Sequence, residues 1–184
     1  MVIDAHIGPR EIGNEYMSGD VYPPESLLES MDRNRIEASI VFPMRSAGKY
    51  DEHSRYILDS CKKYSARLIP FVRLNPWKDG PQSLREAFEK GFRGLKLHPN
   101  DECFVPNDLL QFLEVAEKAK NPVIFHSHHL GTEPPLIGDL AEDSPTVPIM
   151  SAHMGTDLYQ DSSFVARKWS NVYWRLPSAL FFTE

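Results

Sequence analysis

Short apolar runs alternate with longer stretches of helical periodicity from one end of this chain to the other. Runs at 1–6 (MVIDAH), 38–43 (ASIVFP), 67–74 (RLIPFVRL), 94–98 (GLKLH), 122–126 (PVIFH), 147–153 (VPIMSAH) and 171–176 (NVYWRL) are rich in β-branched and apolar residues and predict seven strands. Between them the apolar residues recur at helical spacing. Pro24 opens a helix with Leu27, Leu28 and Met31 on its inner face, and Asp51 can cap a second through Tyr56, Ile57 and Cys61. Ser83 to Lys90 predicts a third, with Gly91 as its C′ residue; 108–120, 136–141 and 158–169 complete six. Pro70 falls inside the third run, where a missing N–H weakens a central strand.

Strand, helix, strand in repetition requires parallel pairing, because the two-to-five-residue turns of hairpins are absent. An open doubly wound sheet and a closed barrel both fit this order. A nucleotide-binding doubly wound sheet calls for a glycine-rich loop after its first strand, and His6-Ile7-Gly8-Pro9-Arg10 stands there instead. The expected fold is therefore α/β of the (β/α)8 TIM-barrel type, incomplete, with about seven parallel strands and helices outside. Residues 1–184 are expected to form a single domain, and unpaired edge strands predict self-association into a homo-oligomer.

Four of the seven histidines close four of these runs: His6, His98, His126 and His153. Barrels carry their active sites at the carboxyl ends of the strands, so these rings predict a convergent cluster. His126 reads as a metal ligand; its plain alternative is a hydrogen-bonded rim imidazole. His153, in Ser151-Ala152-His153-Met154-Gly155, reads as a catalytic base or a ligand, against a purely structural role. Asp4 and His6 share a period of two and are expected to face inward together, where a carboxylate beside an imidazole calls for a balancing charge or metal; backbone hydrogen bonding is the alternative for Asp4. Lys96 and His98 are also two apart and are expected to contact substrate. Arg45 can hold a substrate carboxylate through paired hydrogen bonds, although solvation or structural pairing serves it, Arg73 and Arg175 equally well. His128 and His129 read as loop residues.

Composition narrows the chemistry. A net charge of -6 disfavours nucleic acid and anionic membranes as partners and points to a small-molecule substrate. No apolar run approaches the roughly 20 residues of a spanning helix, which predicts a cytoplasmic protein. Cys61 and Cys103 lack metal-ligand spacing and are expected to be free thiols. A Gly-x-Ser-x-Gly elbow, a Cys-x-x-Cys pair and a phosphate-binding loop are all missing from the sequence.

Taken in order, Ile3-Asp4-Ala5-His6, Gly94-Leu95-Lys96-Leu97-His98-Pro99, Val123-Ile124-Phe125-His126, Ala152-His153-Met154-Gly155 and Asn171-Val172-Tyr173 resemble the amidohydrolase superfamily. The likeness is to the amidohydrolase-related group that holds aminocarboxymuconate semialdehyde decarboxylase and the pyrone dicarboxylate lactonases. That resemblance implies a distorted (β/α)8 barrel with one divalent metal, most often zinc, at the carboxyl rim. It implies that His126 is the strand-five ligand and that His153 is the strand-six residue beside the coordinated water. The family's strand-one motif is His-x-His, whereas this chain has Asp4-Ala5-His6-Ile7-Gly8. Either His6 is the first ligand and Gly8 replaces the second, or His6 is the second and Asp4 replaces the first. A strand-eight aspartate is also implied, and the sequence stops at Glu184 soon after the seventh predicted strand, so the eighth βα unit is expected to be missing. The implied function is metal-dependent hydrolysis of a small carboxylated organic compound by a metal-activated water. Decarboxylation by the same residues is one alternative, and a non-catalytic barrel that binds a ligand or partner is another.

Overall fold

The computed structural model describes residues 3–7, 23–43, 50–104, 109–127 and 133–174. Among them the order is β1 (Ile3–Ile7), α1 (Pro24–Arg33), β2 (Ala38–Val41), α2 (Tyr50–Lys63), β3 (Leu68–Pro70), β4 (Val72–Arg73), α3 (Pro81–Lys90) and β5 (Leu95–Leu97). Then come α4 (Pro99–Glu102), α5 (Leu110–Ala119), β6 (Val123–His126), α6 (Pro134–Asp143), β7 (Ile149–Ala152), a 3₁₀ turn (His153–Leu158), α7 (Tyr159–Lys168) and β8 (Val172–Trp174). The chain forms two compact units, 1–73 with 90–93 and 74–89 with 94–184. No described helix is long and apolar enough to cross a membrane.

In the first unit β1, β2 and β3 pair in parallel in that order. Ile40, Val41, Phe42, Leu68 and Phe71 are buried there, as are Leu27 and Met31 of α1 and Ile57 and Cys61 of α2. Pro70 divides the expected third strand. It has no N–H to offer a ladder, β3 ends on it, and the Phe71 N–H goes to the Val41 carbonyl at 2.8 Å before β4 begins. The β1–β2 ladder also slips: Asp4 is in register with Ser39 but Ile7 with Val41, one residue out of step. The shift falls between Asp4 and Ile7.

The second unit carries β5, β6, β7 and β8 in parallel and in sequence order. α5 buries Phe112, Leu113, Val115 and Ala116, while α6 buries Ile137, Leu140 and Ala141. Asn171 fastens the start of β8 to the turn before β7, its amide donating to the carbonyls of Ala141, Ser144 and Val147 at 3.3, 3.0 and 3.1 Å. α4 is absent from the helices that periodicity predicts, since four residues cannot display a period; Pro99 at its first position defines its start. Gly91 has φ +114 just after α3, as a C′ glycine should. Cys61 and Cys103 are free thiols, and burial pushes that of Cys61 up to about 12.

Two measurements probe this packing. Gly138 sits inside α6, where alanine would ordinarily gain about 1 kcal/mol of helix propensity. A Cβ there would meet the Trp169 ring at 2.6 Å, so Gly138→Ala is expected instead to destabilise by about 1–3 kcal/mol in denaturant unfolding. In the first unit the Lys63 ammonium, 2.8 Å from Glu25, and the Tyr64 hydroxyl at 2.5 Å hold the Glu25 carboxyl down at about 2. A folded-state value below the ordinary 4.5 means that this stabilisation is present above 4.5 and is lost as pH falls towards 2. The group is exposed, so the effect is small and screened by salt. Glu25→Gln should flatten the fall in Tm over that window; an acid limb parallel to the wild type would refute the linkage.

Candidate active site

Register determines which side chains share a face. Lys96 is aligned with Ile124 and Met150, and Leu97 with Phe125 and Ser151. Aligned residues on adjacent strands point to the same side, and side chains alternate along each strand. One face therefore holds Leu95, Leu97, Val123, Phe125, Ile149 and Ser151, all fully buried. The other holds Lys96, Ile124 and, at its carboxyl end, His126. His98 lies two residues beyond Lys96 and stacks on His126, with ring centroids 3.8 Å apart and planes inclined by 13°.

His153 reaches the same cluster by another route. His126 is in register with Ala152, so in a regular strand the next residue would turn to the opposite face with Ser151. Instead His153 leaves the strand at φ +69, in the left-handed region, as the first residue of the 3₁₀ turn. Its ring meets His126 edge-on at 4.6 Å and 70°. Non-glycine residues in this region are strained, and such strain clusters at functional sites. His153 thus stands at the end of β7, and a reversed turn rather than strand alternation aims it.

His98 is the N-cap of α4. Its Nδ1 accepts from the Asp101 N–H at 3.3 Å, and the buried Glu102 carboxylate accepts the His98 N–H at 3.1 Å. This is a reciprocal cap with histidine in the place of serine. The Asp101 carboxylate is 3.6 Å from the same Nδ1, beyond hydrogen-bond length, so the amide contact defines the ring. On that network the neutral ring carries its proton on Nε2 and presents a donor. Ser127, next to His126 and fully buried, donates its hydroxyl to the Ala152 carbonyl.

A metal ligand's lone pair lies in its ring plane, and two stacked, nearly parallel planes share no in-plane point. His98 and His126 therefore cannot hold one ion between them as they stand. Among the described residues no three His, Cys, Asp or Glu side chains are grouped to hold a metal. The edge-on pair His126 and His153 has donors suited to a borderline divalent ion, and zinc sites generally use three protein ligands. Asp4 and His6 lie on β1 of the first unit, and their side chains, like Arg45, His128, His129 and Arg175, are outside the described residues. A cavity of about 320 Å³ in the first unit, lined by Cys61, Lys62, Pro70, Lys90 and Arg93, includes none of these histidines. Its lysines lie in the last turns of α2 and α3, where cations favour a helix C-terminus.

Two site residues escape the sequence reading. Glu102 had a signal, standing four residues after His98 with Pro99 between, in the pattern of a capped helix start. Ser127 had none, because serine after a strand-end histidine carries no periodic or motif signature.

Parallel strands alternating with helices, and imidazoles gathered where the strands end, define an α/β protein of the TIM-barrel type. Residues 3–182 match the Amidohydrolase family, and the chain belongs to it. No curated protein matches it. Among solved structures it resembles an uncharacterised TIM-barrel protein from Bordetella bronchiseptica, at TM-score 0.75 and 18% identity over 98% of this chain and 79% of that one. It also resembles a probable 2-pyrone-4,6-dicarboxylic acid hydrolase from Acinetobacter baumannii with citric acid bound, at TM-score 0.64 and 16% identity over 89% of this chain. A third is 5-carboxyvanillate decarboxylase from Novosphingobium aromaticivorans with bound manganese and 3-methoxy-4-hydroxy-5-nitrobenzoic acid, at TM-score 0.66 and 14% identity over 98% and 76% of the two chains. This chain spans 66% of the length of the pyrone hydrolase. At such identities the likeness establishes the fold.

If His153 is held left-handed for function, glycine should accept its backbone at no loss. His153→Gly is expected to leave unfolding free energy unchanged or raise it by up to about 1 kcal/mol. Loss of 2 kcal/mol or more on the order seen for core truncations, read by chemical denaturation, would make the ring a packing element.

Proposed function

We propose that this chain is a metal-dependent hydrolase of a small carboxylated organic substrate, and the observation that carries the reading is the edge-on approach of His153 to His126 beside the His98 stack. Family membership supports it, as do neighbours named for action on a pyrone dicarboxylic acid and a carboxyvanillate. His126 would hold a divalent ion together with His6, or with Asp4 if that residue replaces a histidine. Zinc suits imidazole donors, and manganese is the ion bound in the decarboxylase neighbour. What such an ion supplies when bound is Lewis acidity and a lowered pKa for a coordinated water.

The chain's own residues do the rest. His153 takes a proton from the attacking water and returns it to the leaving oxygen or nitrogen. His98, with Nε2–H as donor, and Lys96, on the same face of β5, hold the substrate's carboxylate or the oxyanion that develops at the carbonyl. Arg45 is a further candidate for the carboxylate. On this reading the protein works in the cytoplasm on a small molecule and forms a homo-oligomer.

Decarboxylation is the second reading, favoured by the carboxyvanillate decarboxylase neighbour, and it uses nearly the same residues. Hydrolysis asks only for an activated water, whereas loss of carbon dioxide needs an electron sink within the substrate. A panel of lactones, esters and unsaturated carboxylates, assayed with zinc or manganese, separates them by ring opening against carbon dioxide release. His153→Asn should cost roughly 10²–10⁴-fold in kcat, and His126→Ala should abolish metal-dependent turnover. Activity that survives both chelation and His126→Ala would sink the proposal.

A further inference from the structure

We infer that Ser127 is the positioning residue for His153, an inference resting on the reading of His126 and His153 as the working pair. Ser127 is fully buried, and its hydroxyl donates to the carbonyl of Ala152, the residue in register with His126 and immediately before His153. The last aligned pair of β6 and β7 is His126 with Ala152; beyond it one chain enters the 3₁₀ turn. The serine side chain binds the main chain where the ladder runs out.

That carbonyl belongs to the peptide plane joining Ala152 to His153. The direction of the His153 ring depends on this plane and on rotation about the residue's own N–Cα bond, which stands at φ +69. With the plane pinned, a positive φ delivers the imidazole to the face that carries His126. With the plane free, the residue can relax to negative φ, the common state of side-chain-bearing residues, and the ring leaves that face. The far side of the turn is braced as well. Gly155 has φ +66, and a Cβ there would lie 2.8 Å from Ser162 Oγ and 2.9 Å from Pro134 Cγ. Ser127 before His153 and the close packing at Gly155 after it together over-determine one strained residue, which is the condition for such strain to persist.

The test is solution NMR with labelled histidine. Rings 4.6 Å apart give a proton cross-peak between His126 and His153 in the wild type. Ser127→Ala is expected to lose it while circular dichroism and cooperative melting show an intact fold. On any substrate that the wild type turns over, the same variant should lose about 10- to 100-fold in kcat with KM little changed. A cross-peak that persists in folded Ser127→Ala overturns the inference. If that variant does not fold, the wild type decides: a slowly exchanging Ser127 hydroxyl proton close to the Ala152–His153 peptide supports the role, and a freely exchanging one overturns it. The cross-peak needs neither metal nor substrate. A lost cross-peak in a protein without turnover would therefore sink the hydrolase reading alone, and a retained one in an active Ser127→Ala enzyme would sink only the role of Ser127.

Discussion

The alignment of Lys96 with Ile124, continued to His98 and His126, is the constraint on which the rest of the second unit's rim depends. Side chains alternate with a period of two, so a slip of one residue would send the whole set of one strand to the other face. It would carry His126 towards the side that holds Phe125 and Val123 and bring those apolar groups to the rim. Each fully buried apolar side chain contributes about 1.5–3 kcal/mol relative to exposure. Leu95, Leu97, Val123, Phe125 and Ile149 are all fully buried on one side. The imidazole stack follows from the hydrophobic face: the apolar residues select the register, and the register sets the two rings side by side.

That stack also divides labour. A ring pressed flat against its neighbour cannot share an ion with it, and His98 has its Nδ1 engaged by the Asp101 amide. On that network its remaining nitrogen is a donor. His126, the other ring of the stack, also meets His153 edge-on. Lys96 lies on the same face and is 1% exposed, and an ammonium so deeply placed is costly unless its environment compensates it. Two similar strand-end positions, those of His98 and His126, are thus under different physical restraints.

Much of this was legible in the sequence. The strand-end position of His98 and His126 follows from apolar runs bounded by proline, and the shared face of Lys96 and His98 follows from their spacing of two. The division of the third strand at Pro70 was visible as a missing donor, though its consequence, a break at Phe71 with the ladder resuming at Val72, was not. The register shift between β1 and β2 was hidden because it arises from their pairing, and no residue between Asp4 and Ile7 announces it. α4 is too short for periodicity to register, and only the histidine cap with Pro99 marks it. His153 meets His126 by a route that the sequence does not announce. Its parity is wrong for the face it occupies, and a positive φ at a histidine leaves no trace in composition.

The choice of a strained residue over a shifted strand can be argued from magnitudes. To bring His153 to the His126 face by register alone, β7 would have to slide by one residue against β6. Ile149 and Ser151, both fully buried, would then exchange faces with Met150 and Ala152. Placing Ile149 on the face of Lys96 and Ile124 would force buried side chains to repack, at about 1–3 kcal/mol, and the Asn171 bonds to the turn before β7 would be disturbed as well. A single side-chain-bearing residue in the left-handed region costs roughly 1–2 kcal/mol. Reversing one turn at the strand's end is the cheaper solution. It leaves the hydrophobic face intact and confines the strain to the one residue whose direction matters for the cluster.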